Sequence, residues 1–140
     1  MLDLAQRAAL TETVVARFRG RPFDWKKRRT CIHLARAQAR ALGHRPPPIP
    51  DFRSPKSARA ALRSTGHGTL ETLLDTLFVR IPPAAMWIGD LALMAGGDGL
   101  DAIVIAAGGK MIGYHQDHLA EGLVNIEPET AAAFVGAWRL

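Results

Sequence analysis

Ile81-Pro82-Pro83-Ala84-Ala85-Met86-Trp87-Ile88-Gly89-Asp90-Leu91-Ala92-Leu93-Met94 is the stretch at which the chain changes character. Before it, apolar residues recur at helical spacing. Leu4, Ala8, Val14, Val15 and Phe18 mark an opening helix over Leu2 to Phe18 that Gly20 stops. Thr30 is placed to cap a helix running from Cys31 through Ile32, Leu34, Ala35 and Ala39 to about Leu42, closed by Gly43. The proline-rich loop His44 to Pro50 cannot be a central strand. Ser54 followed by Pro55 predicts a third helix, and Thr69 a fourth through Leu70, Leu73, Leu74 and Leu77. After Pro82 and Pro83 the segments are short and β-type: Asp90 to Met94, Ala102 to Ala107, Lys110 to His115 and Leu123 to Ile126. Gly96, Gly97, Gly99, Gly108 and Gly109 punctuate them as turns. Connections this short make hairpins, hence an antiparallel sheet. Pro128 and Thr130 to Phe134 predict a last helical turn before Ala137-Trp138-Arg139-Leu140.

Helices followed by strands predict an α+β chain, with N-terminal helices packed on a small antiparallel sheet. The 140 residues suit a single domain over 1–140: 1–78 mainly helical and basic, 86–127 an acidic sheet, and 128–140 a C-terminal segment. A hydrophobic fraction of 48% with 22% charged residues excludes disordered and low-complexity classes. No apolar run reaches the roughly 18 to 20 residues of a membrane span, and the N-terminus lacks the pattern of a secretory signal.

Charge divides along the chain. Residues 1–63 hold 15 Lys and Arg against 4 Asp and Glu, a charge of +11, and residues 64–140 hold 3 against 9, a charge of −6. Such polarity suits a component that meets neighbours through faces of opposite sign, or one that approaches an anionic polymer. The run Lys26-Lys27-Arg28-Arg29 reads as a solvated loop before a helix, because no helix-turn-helix, zinc-finger or single-strand-binding pattern accompanies it. Nucleic acid is not the expected partner. Trp25, Trp87 and Trp138 read as core or interface anchors. The glycines match no phosphate loop. Asp98 and Asp101 read as solvated hairpin acids, so no metal and no cofactor is expected.

Cys31 is the only cysteine, which excludes an internal disulfide and multi-cysteine metal sites. It is either a packed thiol or a nucleophile. Its position at a helix N-terminus, directly after four basic residues and beside a loop, would favour a thiolate. A nucleophile also needs a general base. Among His33, His44, His67, His115 and His118, His33 sits two residues along the same helix and faces elsewhere, and His44 and His67 read as exposed loop residues. His115, after the third β segment, is the best-placed candidate base.

Gly20-Arg21-Pro22-Phe23-Asp24-Trp25, then Thr30-Cys31 heading an Ala-rich helix that ends at Gly43, resembles the NlpC-type cysteine peptidases. Gly89-Asp90 followed by Leu91 to Met94 is similar to that family's Gly-Asp and apolar strand, and Ala102 to Ile112 to its histidine strand and following hairpin. Closer still is the likeness to small proteins of tailed phages and prophages of this type, with a similar ending at Ala137-Trp138-Arg139. The resemblance implies a papain-like fold whose helix-borne cysteine faces a sheet carrying a histidine and a third polar residue. The sequence departs from the pattern. Thr30 precedes the cysteine where the family has Asp, and Ile32-His33 follow it where the family has Ser-Gly. The histidine position falls on Asp101, Ala102 or Ile103, and the third polar position near Gly113 or Tyr114, so His115 is reached only by a shift of one or two residues. A one-residue shift on a strand turns the side chain to the opposite face.

Two readings follow from the resemblance. One is a structural component of a phage tail tip or baseplate on a degenerate peptidase fold, located in the virion, made in the host cytoplasm and partnered by other tail proteins. The other is an active cysteine peptidase or amidase that cleaves peptidoglycan during infection, with Cys31 as nucleophile and His115 as base. The incomplete histidine position and the divided charge favour the first.

Overall fold

A computed structural model describes residues 1–96, 101–128 and 133–140. Four α-helices come first: α1 Leu4–Phe18, α2 Cys31–Ala41, α3 Pro55–Ser64 and α4 Leu70–Leu77. Their starts are set by side-chain caps. Asp3 accepts from the Gln6 amide, Thr30 from those of Ile32 and His33, Ser54 from that of Ser57 and Thr69 from that of Thr72, each quenching donors that a helix start leaves without partners. The buried positions on α1 (Arg7, Thr11, Val14, Val15, Phe18) and on α2 (Leu34, Ala35, Gln38, Ala39) follow the helical period and define the inward stripes.

Among the described residues, six strands form one open antiparallel sheet: β1 Val79–Ile81, β2 Leu91–Met94, β3 Ala102–Ala106, β4 Met111–Tyr114, β5 Leu123–Ile126 and β6 Phe134–Arg139, in the order β1-β6-β2-β3-β4-β5. The chain is therefore α+β, with more strands than its sequence predicts. The C-terminal segment, read as a helical turn through Phe134, is a strand from Phe134 onward and lies between β1 and β2. Thr130 lies outside the described residues, as do Gly97, Asp98 and Gly99. Phe134, Val135 and Trp138 fit a pleated surface better than a helix, and the two flanking strands supply the ladder.

Strand alternation divides the core. Leu91, Leu93, Ile103, Ile105, Ile112, Tyr114, Leu123 and Trp138 meet Val14, Phe18, Leu34, Leu62, Leu70 and Leu74 from the helices in one cluster. Ala92, Val104, Ala106, Met111 and Ala137 form a smaller cluster on the opposite face, covered by the partly buried Met86, Met94 and Phe134. Polar ties fix the helical layer to the sheet. The Gln38 side-chain amide donates to Thr11 Oγ1 at 2.9 Å and to the Gly89 carbonyl at 3.1 Å. Gly89 has φ +93°, and a Cβ there would stand 2.9 Å from Thr11 Oγ1, so this approach requires glycine. Asp90, fully buried, accepts from Arg7, from Arg139 Nε at 2.9 Å, and from the backbone N–H groups of Trp87 at 2.8 Å and Leu140 at 3.0 Å. One carboxylate thus joins α1, the start of β2 and the end of the chain.

Candidate functional site

The loop before α2 is a tight turn. The Asp24 carboxylate accepts from the backbone of Lys26 at 2.8 Å and Lys27 at 3.2 Å, and Asp24 and Arg29 exchange backbone hydrogen bonds at 3.0 Å. Lys26, Lys27 and Arg28 are exposed, as a solvated basic run should be. Arg28 adopts φ +58°, a left-handed conformation that non-glycine residues rarely hold. The turn delivers Thr30 to the head of α2 and leaves Cys31 half-buried at the first helical position.

Cys31 lines a cavity of about 120 Å³ with Phe23, Trp25, Asp101, Ala102, Tyr114, Gln116 and Leu119. Edge-on ring packing builds one wall, with Phe23 5.1 Å from Trp25 and 5.3 Å from Tyr114. The Phe23 amide donates to the Leu119 carbonyl at 2.9 Å and ties this wall to the 3₁₀ segment Gln116–Glu121. Tyr114 is 4% exposed, and its hydroxyl has no hydrogen-bond partner among the described residues. Burial pushes its phenol up from the ordinary value, with the nearby Cys31 adding to the rise and Arg29 and Arg21 opposing it. Asp101 accepts from the Gly96 amide at 3.3 Å.

The structure does not bring His115 to this cavity. Met111 packs in the opposite-face cluster, and a Cβ at Gly113 would meet Val104 of that same cluster, whereas Ile112 and Tyr114 face the helices. His115, extended at φ −107° and ψ 133°, continues that alternation on the side of Met111 and Gly113. Its Nδ1 accepts from the Asp117 amide at 3.1 Å, and it lines a separate depression with His118, Glu121 and Glu127. The other histidines are engaged elsewhere. His118 meets Glu121 at 3.1 Å, His67 meets Thr72 at 3.1 Å, and His44 packs on Phe78 at 5.2 Å. His44 and His67, read as loop residues, are half-buried. No histidine is among the described residues lining the Cys31 cavity. Asp98 lies outside the described residues, and no metal-holding cluster of His, Cys, Asp and Glu occurs among those described.

His33, outside the Cys31 cavity lining, titrates under the influence of its burial and two arginines. Thr30 Oγ1 takes the Ile32 and His33 amide protons, so its own proton goes to His33 Nδ1 at 2.8 Å and the imidazole carries its hydrogen on Nε2. Burial first, then Arg28 and Arg36, lower its pKa to about 4. The unfolded chain therefore binds this proton more tightly than the folded one. Stability from His33 is complete above about pH 6.5 and is lost as pH falls toward 4, by no more than about 2 kcal/mol once solvent screening is allowed for. We expect the melting temperature to fall across this window and His33→Gln to flatten that part of the profile; an unchanged profile in the variant would contradict the assignment.

Sequence reasoning found the position of Cys31, and through the resemblance the wall positions Asp101, Ala102 and Tyr114. It missed Gln116 and Leu119, whose 3₁₀ segment lacks a periodic signal. Residues 4–140 match the family described as Domain of unknown function (DUF6950). The chain belongs to this family. The match spans nearly the whole DUF6950 chain, from the first residue of α1 to the C-terminus after β6. No curated protein and no solved structure shows a match to it. No described helix is long and apolar enough to cross a membrane.

Proposed function

We propose that this DUF6950 chain is a structural component of a phage tail tip or baseplate, built on a degenerate NlpC-like, papain-type fold. One observation carries the reading: Asp101, Ala102 and Tyr114 stand on the wall of the Cys31 cavity, at the positions where the resemblance sets a catalytic imidazole and its polar partner. A base must lie within about 2.6–3.2 Å of the proton it takes, directly or through one water. Tyr114, its phenol pushed above the ordinary value, is a neutral donor at neutral pH and cannot serve as that base. His115 is committed to a helical cap on the other face. The Cys31 cavity then belongs to the architecture of the helix-sheet junction, and the basic N-terminal half offers the assembly surface. The partners are other tail proteins and the site of action is the virion.

The runner-up is a cysteine peptidase or amidase acting on peptidoglycan. It is favoured by the thiol at the first residue of α2, open to a cavity with an unpaired tyrosine hydroxyl. Cys31→Ala separates the two. We expect particles carrying Cys31→Ala to assemble and to penetrate the cell wall at the wild-type rate; a loss of wall cleavage with assembly intact would establish the enzyme instead.

A further inference from the structure

A second cavity, of about 630 Å³, opens on the outer side of α1 and α2. Arg17, Arg28, Arg36 and Arg40 line it over a floor that includes Val14 and Phe18, and no carboxylate is among its described lining residues. Among the described residues these arginines are in no close ion pair: Arg28 meets Asp51 at 3.9 Å, with both side chains more than 60% exposed. Arg36 is oriented by donating from Nε to the Pro47 carbonyl at 3.1 Å. Arg28 reaches the cavity from the left-handed residue of the turn before α2. Four like charges gathered around one apolar floor repel one another and are relieved by an anionic occupant.

The nature of that occupant follows from the lining. The end of α1 and most of α2, from His33 to Ala41, surround the cavity, so the donors it offers are mainly guanidinium groups set around an apolar floor. Carboxylates presented at the rim by a body with apolar side chains fit both parts. The chain carries such a surface itself. Asp117, Glu121 and Glu127 are exposed around the 3₁₀ segment and the edge strand β5, together with Leu119, 37% exposed. We propose that the arginine-lined cavity of one copy receives the acidic 116–127 edge of a second copy, a head-to-tail contact between two different patches. The net +5 of each copy opposes approach only over the screening length of about 8 Å at physiological salt, inside which local complementarity decides. This contact goes beyond the tail reading and does not depend on it, because it belongs to the purified chain.

Sedimentation velocity over a concentration series tests it. The wild type should associate at low salt and dissociate at high salt. Arg36→Glu with Arg40→Glu, and separately Glu121→Lys with Glu127→Lys, should each weaken association at least tenfold while keeping the wild-type circular dichroism. Mixing the two variants should restore association, because the unaltered cavity of one meets the unaltered acidic edge of the other. Should a charge reversal disturb folding, Arg36→Gln with Arg40→Gln gives the same weakening without it. A wild type that stays monomeric at low salt, association that survives either pair of substitutions, or a mixture that stays monomeric overturns the proposal. So does a monomeric chain whose cavity takes up a single-stranded oligonucleotide.

Discussion

Asp90→Ala should lower the stability of this chain by about 3–5 kcal/mol, against a total of about 5–15 kcal/mol for a typical domain. The carboxylate is fully buried, and its oxygens accept from two guanidinium groups and two backbone N–H groups. Removing it leaves the Arg7 guanidinium, 96% buried at the side chain, facing the Ile88 and Leu140 carbonyls and the Trp87 ring 5.7 Å away, with no carboxylate side chain to balance its charge. The loss is dominated by that stranded cation and not by the net worth of the pair, since buried ion pairs spend much of their attraction on desolvation. Arg139→Ala should cost less, although it also removes a guanidinium lying 3.5 Å over the Trp87 ring, because Arg139 is partly exposed and Asp90 keeps its pairing with Arg7. Urea unfolding followed by tryptophan fluorescence measures both. A change below about 1 kcal/mol for Asp90→Ala would show that water enters and rescues the site.

Trp138→Ala is the second large effect, expected at about 3–5 kcal/mol. Trp138 is fully buried in β6, where it pairs with Arg80 of β1 and Leu91 of β2 and packs into the helix-facing cluster. Its indole Nε1 donates to Asp75 at 2.9 Å, and the Arg80 guanidinium lies 5.1 Å over its ring. Gly136 makes room for this stack, since a Cβ there would fall 2.8 Å from the indole. Hydrogen bonds from Arg80 and then Trp138 hold the Asp75 carboxyl below its ordinary pKa. Trp138→Phe keeps most of the packing and loses the N–H, so it should cost only about 1–2 kcal/mol. Equal losses in the two variants would place the energy in the hydrogen bond and contradict the packing account.

The sequence was most informative where local chemistry acts alone. Thr30, Ser54 and Thr69 each cap the helix their positions predict, because a cap needs only its own next turn. Leu123 to Ile126 is a strand over its predicted span. β1 and β6 escaped because nothing local marks them. Val79–Ile81 is three residues long and abuts Pro82, and Phe134–Arg139 follows an alanine run that favours helix until flanking strands claim it. Around Cys31, the helix-head position could be read directly, whereas the identity of the facing wall depends on strand register across some 70 to 80 residues of chain and came only through the resemblance. The arginine-lined cavity was hidden for the same reason. Arg36 and Arg40 lie one turn apart on α2, but Arg17 and Arg28 join them only after the chain folds.

Quantitative mass spectrometry of purified tails tests the central claim most directly. The structural account predicts that the chain is present in mature tails at a fixed stoichiometry to the other tail proteins, with Cys31→Ala present at the same level. A chain that is absent from the particles, or one that turns over peptidoglycan in a Cys31-dependent way, would contradict it.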